Sequence, residues 1–288
     1  MTTTFQLADR VVRRVGFGAM QLPGPGVMGP PRDHDEAVRV LRRAVELGVN
    51  HIDTAQYYGL GVSNELIHEA LHPYADDLAI VSKVGARRTA DGGWVSAQTP
   101  AELRADVEAN LATLGIDHLT AVNLRRMDEH EGASDVAFDD QLAEMVKLRD
   151  EGKIAGVGVS TVSASMVDQA IESAGIVCVQ NAFSLVDQGD AAVLDRCTRA
   201  GIAYVPYFPL GSAFPNMPKV VDQPAVQAVS ERLGVPAARV GLVWLLARAS
   251  NVLLIPGTSS VAHLEENMAV GDLTLSGADL AELAGLAD

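Results

Sequence analysis

Short apolar runs rich in β-branched residues alternate with longer stretches whose apolar positions recur every three or four residues, along most of the 288-residue chain. The short runs read as buried strands and the longer ones as amphipathic helices. The strands predicted are Val15–Met20, Asn50–Thr54, Ala79–Val84, His118–Asn123, Ile154–Ser160, Ile176–Gln180, Ile202–Tyr207 and Val252–Ile255. Between them the helical pattern covers Glu36–Leu47, Ala101–Leu114, Asp140–Arg149, Ser165–Ala174, Ala191–Ala200 and Ala237–Ala249. Asp33 ahead of Glu36, and Thr99-Pro100 ahead of Glu102, mark helix starts with a capping oxygen, a first-turn proline or an early carboxylate. Gly48, Gly115, Gly152, Gly175 and Gly201 stand where helices end and strands follow. Eight such alternations without a break in composition predict one (β/α)8 TIM-barrel domain over residues 1–288. An open, doubly wound sheet is the competing arrangement.

In such a barrel the site lies at the C-terminal ends of the strands. Asp53, Lys83, Asn123, Ser160, Gln180 and Tyr207 all fall at or just past those ends. Asp53 and Lys83 are costly to bury, and each closes an apolar run on a neighbouring strand. Tyr58 follows five residues after the aspartate in a Gly-containing loop. An ammonium beside a phenol favours the phenolate, so the expectation is a tyrosine whose pKa is drawn below its usual 10 or so and which donates a proton near neutral pH.

A formal net charge of −15 argues against nucleic-acid and anionic-membrane partners. The two cysteines, Cys178 and Cys197, lie in apolar or helical contexts and read as reduced core thiols. The N-terminal MTTTFQLADR has no apolar segment, and no apolar run approaches membrane-spanning length, so the expectation is a soluble, cytoplasmic protein. Gly24-Pro25-Gly26-Val27-Met28-Gly29 matches a dinucleotide fingerprint in letters only. Its prolines make a stiff loop over the barrel mouth instead of a strand-to-helix turn. His68-Glu69-Ala70-Leu71-His72 resembles a zinc motif, but Pro73 ends the helix at the second histidine and no third ligand follows, so no metal is expected. Of the arginine pairs, Arg87-Arg88 and Arg125-Arg126 follow strand ends, where one could touch a substrate or cofactor phosphate, although solvated surface charge is the favoured reading of each.

The segments HIDTAQYYG (51–59), IVSKVG (80–85), VQNAFS (179–184), YVPYFPLG (204–211) and LLIPGTSSVAHLEENM (253–268) resemble, in that order, motifs of the aldo-keto reductases. The bacterial pyridoxal reductase-like branch looks closest. The resemblance implies a barrel that binds NADP(H), ahead of NAD(H), and reduces an aldehyde or ketone, pyridoxal-like carbonyls among them. It implies a small-molecule substrate and a monomer or small homo-oligomer. It also implies a catalytic set in which Asp53, Tyr58 and Lys83 match three members, and Asn123 stands where the family places a histidine. An amide can orient a carbonyl but carries no proton, which keeps a second reading open: a nucleotide-binding redox sensor or regulatory subunit with little turnover. For the cofactor, the resemblance points to Ser160 and Gln180 at the carboxamide and Tyr207 against the nicotinamide. It points to Phe208, Leu210, Gly211 and Ser212 along the pyrophosphate, and to Thr258, Ser259, Ser260, His263, Glu266 and Asn267 at the adenosine end. Thr161 replaces the family's usual asparagine, and no Arg or Lys stands between Gly257 and Asn267.

Overall fold

The computed structural model describes residues 3–127, 135–211 and 218–286. A hairpin comes first, β1 (Thr4–Leu7) antiparallel to β2 (Arg10–Arg13). There follow β3 (Phe17–Gly18), α1 (His34–Glu46), β4 (His51–Asp53), α2 (Val62–Leu71), β5 (Ala79–Arg88), β6 (Trp94–Ala97), α3 (Pro100–Leu114) and β7 (Ala121–Arg125). The chain continues through α4 (Phe138–Asp150), β8 (Val157–Ser160), α5 (Ala164–Ala174), β9 (Cys178–Gln180), α6 (Ala191–Ala200) and β10 (Ala203–Tyr204). The helices α7 (Pro224–Leu233), α8 (Ala237–Arg248), α9 (Val261–Met268) and α10 (Gly277–Ala284) complete it. Among the described residues no helix is long and apolar enough to cross a membrane.

Seven strands run parallel in the order β10-β9-β8-β7-β5-β4-β3. The eighth place is taken by residues 252–254, which form no ladder of their own but bridge both edges, Val252 to Tyr204 and Leu254 to Val15. At this seam Gly16 N donates to Leu254 O at 2.8 Å, and Leu254 N donates to Arg14 O at 2.8 Å. The Arg14 guanidinium, 4% exposed, donates to the carbonyls of Leu246, Ala249 and Val252 and holds the last turn of α8 to the same edge. Gly18 lets the seam close, because a Cβ there would stand 2.5 Å from Ile255 O. The barrel expected from the alternation is thus present, and each predicted strand supplies one stave.

Strand parity divides the interior. One set, with Phe17, Ile52, Ile80, Val122, Leu124, Val157, Val159, Val179 and Leu254, faces outward and packs under the helices. The other set, Ala79, Val81, Ala121, Cys178, Ala203 and Leu253, fills the barrel, and Leu7 and Val12 of the hairpin join it. The small inward residues leave room for larger polar ones one layer further up each strand. Gly158 belongs to this economy of space: a Cβ would meet Asn123 Oδ1 at 2.2 Å and Cys178 Sγ at 2.5 Å.

The helices start where the caps predict. Asp33 accepts from Glu36 N at 2.8 Å, and Thr99 with Glu102 forms a reciprocal capping box. Gly115, Gly175 and Gly201 take left-handed conformations at the ends of α3, α5 and α6. The glycine-proline loop opens no helix, since α1 starts only at His34. It folds toward the mouth, where Gly26 O accepts from Arg88 Nη2 at 3.2 Å and Val27 packs with Tyr57 and Tyr58. His68 Nδ1 lies 3.0 Å from Leu114 O, and His72 is the last residue's cap on α2. Both cysteines are free and buried.

Candidate active site

Asp53 ends β4, and Lys83 lies on β5, the next strand. Each is almost inaccessible, 2% and 4% exposed, so neither charge can rely on water. The Lys83 ammonium donates to Asp53 Oδ1 and, at 3.0 Å, to the Thr54 carbonyl. Gln180 Nε2, at the end of β9, donates to Asp53 Oδ2 at 3.0 Å. Both carboxylate oxygens are thereby satisfied, which is the condition under which a buried charge is tolerated. Gln180 Oε1 is left buried with no partner.

The loop after β4 carries Tyr57 and Tyr58 and rests on a buried polar net. Thr54 Oγ1 donates to Asn64 Oδ1 at 2.7 Å, while Asn64 Nδ2 donates to Gln56 Oε1 at 2.7 Å and to Asn110 Oδ1 at 2.9 Å. Ser82, beside Lys83 on β5, donates to the same Asn110 oxygen at 2.6 Å. This net fixes the loop against α2, α3 and β5 together. Tyr58 is buried, with its ring centroid 5.0 Å from Lys83 Nζ. Tyr57 and Tyr58 meet edge to face, and Tyr57 meets Trp94 of β6 in the same way. Met20, Met127 and Ala55 complete this small apolar cluster at the mouth.

The expected lowering of the Tyr58 pKa is corrected. Burial pushes the phenol well above its ordinary value, and the Asp53 carboxylate pushes it further. The cation that pulls the other way is Arg125. The Lys83 charge is spent on Asp53 and faces the ring. Tyr58 therefore keeps its proton throughout the neutral range. Tyr57 is likewise pushed up, to about 12, chiefly by burial.

Strand β7 also differs from expectation, running to Arg125 where the sequence pattern ended it at Asn123. Asn123 is fully buried one layer down, in register with Lys83 and Gly158. Its Oδ1 accepts from Cys178 Sγ at 3.2 Å, and its Nδ2 has no partner. Two residues on, and so on the same face, Arg125 brings its guanidinium to the field of Tyr57, Tyr58 and Tyr207, with Cζ 5.2 Å from the Trp94 ring. Arg125 is thus the strand-end residue among the phenols, a position the apolar run could not reveal because Leu124 and Arg125 extend it past its first polar residue.

The other expected positions are spread along the rim. Ser160 ends β8, 1% exposed, opposite Arg125 in the ladder. Thr161 and Phe208 both adopt left-handed backbone, φ 59° and 54°, a strained choice for non-glycine residues. Tyr207 is half-buried and meets Phe208 edge to face, with ring centroids 5.1 Å apart. Leu210 packs on the core and Gly211 turns at φ 83°. Ser212 lies outside the described residues. Thr258 Oγ1 accepts from Ser260 N at 3.1 Å just ahead of α9. Ser259, His263 and Glu266 are exposed, with Ser260 and Asn267 half-buried. The first amide of α9 is already engaged: Val261 N donates to Glu36 Oε1 of α1 at 3.1 Å, and this bond with that from Arg39 draws the Glu36 pKa down. Arg43 of α1 also reaches α9, at Glu265, so basic side chains approach this end from another helix.

Comparison with known proteins identifies the family. The sequence model of the aldo/keto reductase family matches residues 14–288. Pyridoxine 4-dehydrogenase of Escherichia coli K12 is 46% identical over 286 residues, covering 99% of this chain and 98% of that protein. An uncharacterised oxidoreductase of Schizosaccharomyces pombe is 37% identical over 280 residues, covering 97% of this chain and 88% of the relative. Among solved structures, a thermostable aldo-keto reductase in complex with the inhibitor epalrestat superposes with a TM-score of 0.83 at 26% identity, covering 99% of this chain and all of that one. An aldo-keto reductase of Klebsiella pneumoniae in complex with NADPH shares the fold, with a TM-score of 0.82 at 24% identity over 99% of this chain and 95% of that one. The chain is an oxidoreductase and belongs to the aldo/keto reductase family.

Proposed function

We propose that this oxidoreductase, working as one barrel domain, reduces an aldehyde or ketone to the alcohol with NADP(H) and with Tyr58 as the proton donor. The observation that carries the reading is the buried Asp53–Lys83 pair set against the Tyr58 ring at the C-terminal rim of the barrel. A purely structural ion pair has no need of a phenol beside it, and perturbed groups of this kind gather at functional sites.

The residues present fit a nicotinamide cofactor. Gln180 Oε1, buried and unpartnered, is an acceptor that suits a carboxamide N–H, and the side chain is aimed by its bond to Asp53. Ser160 and Tyr207 would hold the same end, and the segment from Phe208 to Gly211 would follow the phosphates. The stretch Thr258–Asn267 would take the adenosine. When bound, the cofactor supplies the hydride. The protein supplies the rest. Burial keeps the Tyr58 hydroxyl protonated at neutral pH, so it can donate to a carbonyl oxygen. As the proton leaves, the phenolate that remains is stabilised by the field of Arg125. Lys83 and Asp53 hold the ring and its loop, and Tyr57 packs between Trp94 and the Tyr58 ring.

The likeness to a pyridoxine 4-dehydrogenase makes pyridoxal the first aldehyde to test. Turnover is followed by NADPH oxidation with an aldehyde panel that includes it. Tyr58→Phe should lower kcat by about 10²–10⁴, the worth of a positioned proton donor. Unchanged turnover in that variant sinks the mechanism. The sensor reading rested on Asn123, whose amide here serves Cys178. It would regain its place if NADPH were retained through purification while every aldehyde turned over more slowly than about one per second.

A further inference from the structure

The Arg125 guanidinium is half-buried among aromatic rings, and its Nε has no hydrogen-bond partner. Its main electrostatic neighbours are three phenols, Tyr57, Tyr58 and Tyr207, and among the described residues no carboxylate forms a salt bridge with it. The arginines around it differ. Arg87 pairs with Asp106, and Arg126 donates to Gln141. A guanidinium stays charged at every physiological pH and presents a planar fork of donors that matches a carboxylate or phenolate. Tyr57 is the one phenol that hydrogen-bonds to Arg125, and a partly desolvated cation whose partners are neutral lacks the counter-charge that would offset its burial. A second guanidinium, Arg88, lies 4.5 Å from the same Trp94 ring and bonds only backbone carbonyls, of Gly92 and Gly26. The mouth over Tyr58 is therefore cationic within a chain of net charge −15. Its aromatic walls suit a flat ring.

We propose that Arg125 determines substrate specificity by pairing with an anionic oxygen carried on the ring that bears the reacting carbonyl, so that the enzyme selects acidic aromatic aldehydes over neutral ones. The proposal deepens the reductase reading and rests on it. Trp94 and Tyr57, in contact with each other, form one aromatic wall for the ring to lie against, Arg125 fixes its rotation on that wall, and the carbonyl is thereby turned toward Tyr58.

The test compares kcat/KM for 3-formylbenzoate and benzaldehyde with NADPH, in the wild type, Arg125→Met and Arg125→Lys. The wild type should prefer the carboxylate. Arg125→Met should shrink that preference about tenfold or more, as expected for a lost charge-assisted bond, over and above any fall in kcat common to both aldehydes. Arg125→Lys should restore part of it. A preference unaltered in Arg125→Met overturns the proposal. So does a fall in NADPH affinity that matches the loss, which would assign the guanidinium to a cofactor phosphate. If no aldehyde turns over, the reductase reading fails and the cation is read separately by calorimetry with benzoate. Benzoate binding about tenfold weaker in Arg125→Met keeps the anion site, and equal binding removes it.

Discussion

Asp53 and Lys83 have no water to fall back on, so each depends on the other. Removing only the cation, in Lys83→Met, leaves Asp53 with the Gln180 amide and no counter-charge, at a cost of about 3–5 kcal/mol. The double variant Asp53→Asn/Lys83→Met should regain much of that stability in urea unfolding while turnover stays lost. Recovery of both together would show that the pair serves the fold alone. These two residues were legible in the sequence because a charge closing an apolar run has to be explained. Arg125 was not. Its strand outlasts the apolar pattern by two residues, and inward placement follows from parity counted from Asn123. The direction of the Tyr58 shift was also hidden, since spacing shows a nearby ammonium but neither the depth of burial nor the carboxylate that holds the ammonium.

At the scale of elements, the long helices declared themselves through caps. The segments that escaped notice are short or built on pairing, namely the two hairpins and the late helices α7, α9 and α10. The contact between α1 and α9 belongs to this hidden class, and it bears on the cofactor. Glu36 puts a carboxylate on the first amide of α9, where a phosphate would otherwise find a favourable dipole. Glu36→Gln removes a negative charge there and leaves Arg39 without its partner. NADPH should then bind about two- to fivefold tighter relative to NADH, the size of one helix-terminus charge. Fluorescence titration of both nucleotides reads this ratio, and an unchanged ratio would place the adenosine phosphate elsewhere.

For the molecule as a whole, the barrel interior sets an acid limit. His51 lies inside at the start of β4, 1% exposed, with Nδ1 unpartnered. Burial pushes its pKa from 6.5 down to about 4. Between those values the unfolded chain takes up a proton that the fold refuses. The neutral histidine's contribution is thus complete above about pH 6.5 and lost as pH falls toward 4, by about 3 kcal/mol. Urea midpoints at pH 7 and pH 4.5 should draw together in His51→Gln. If the variant loses as much as the wild type, other groups carry the acid sensitivity.

The seam at residues 252–254 joins Arg14 to Val252 across a separation of 238 residues. During synthesis those three residues leave the ribosome after all seven other staves. Until they do, the nascent sheet has two bare edges, β3 and β10, each offering unpaired amides to any strand nearby. A chain stalled before Val252 would be complete in its reactive residues Asp53, Tyr58 and Lys83 and still unable to shut. The hazard in making this enzyme is therefore greatest after β10 has emerged and before Val252 has, when most of the barrel exists as an open, adhesive ribbon.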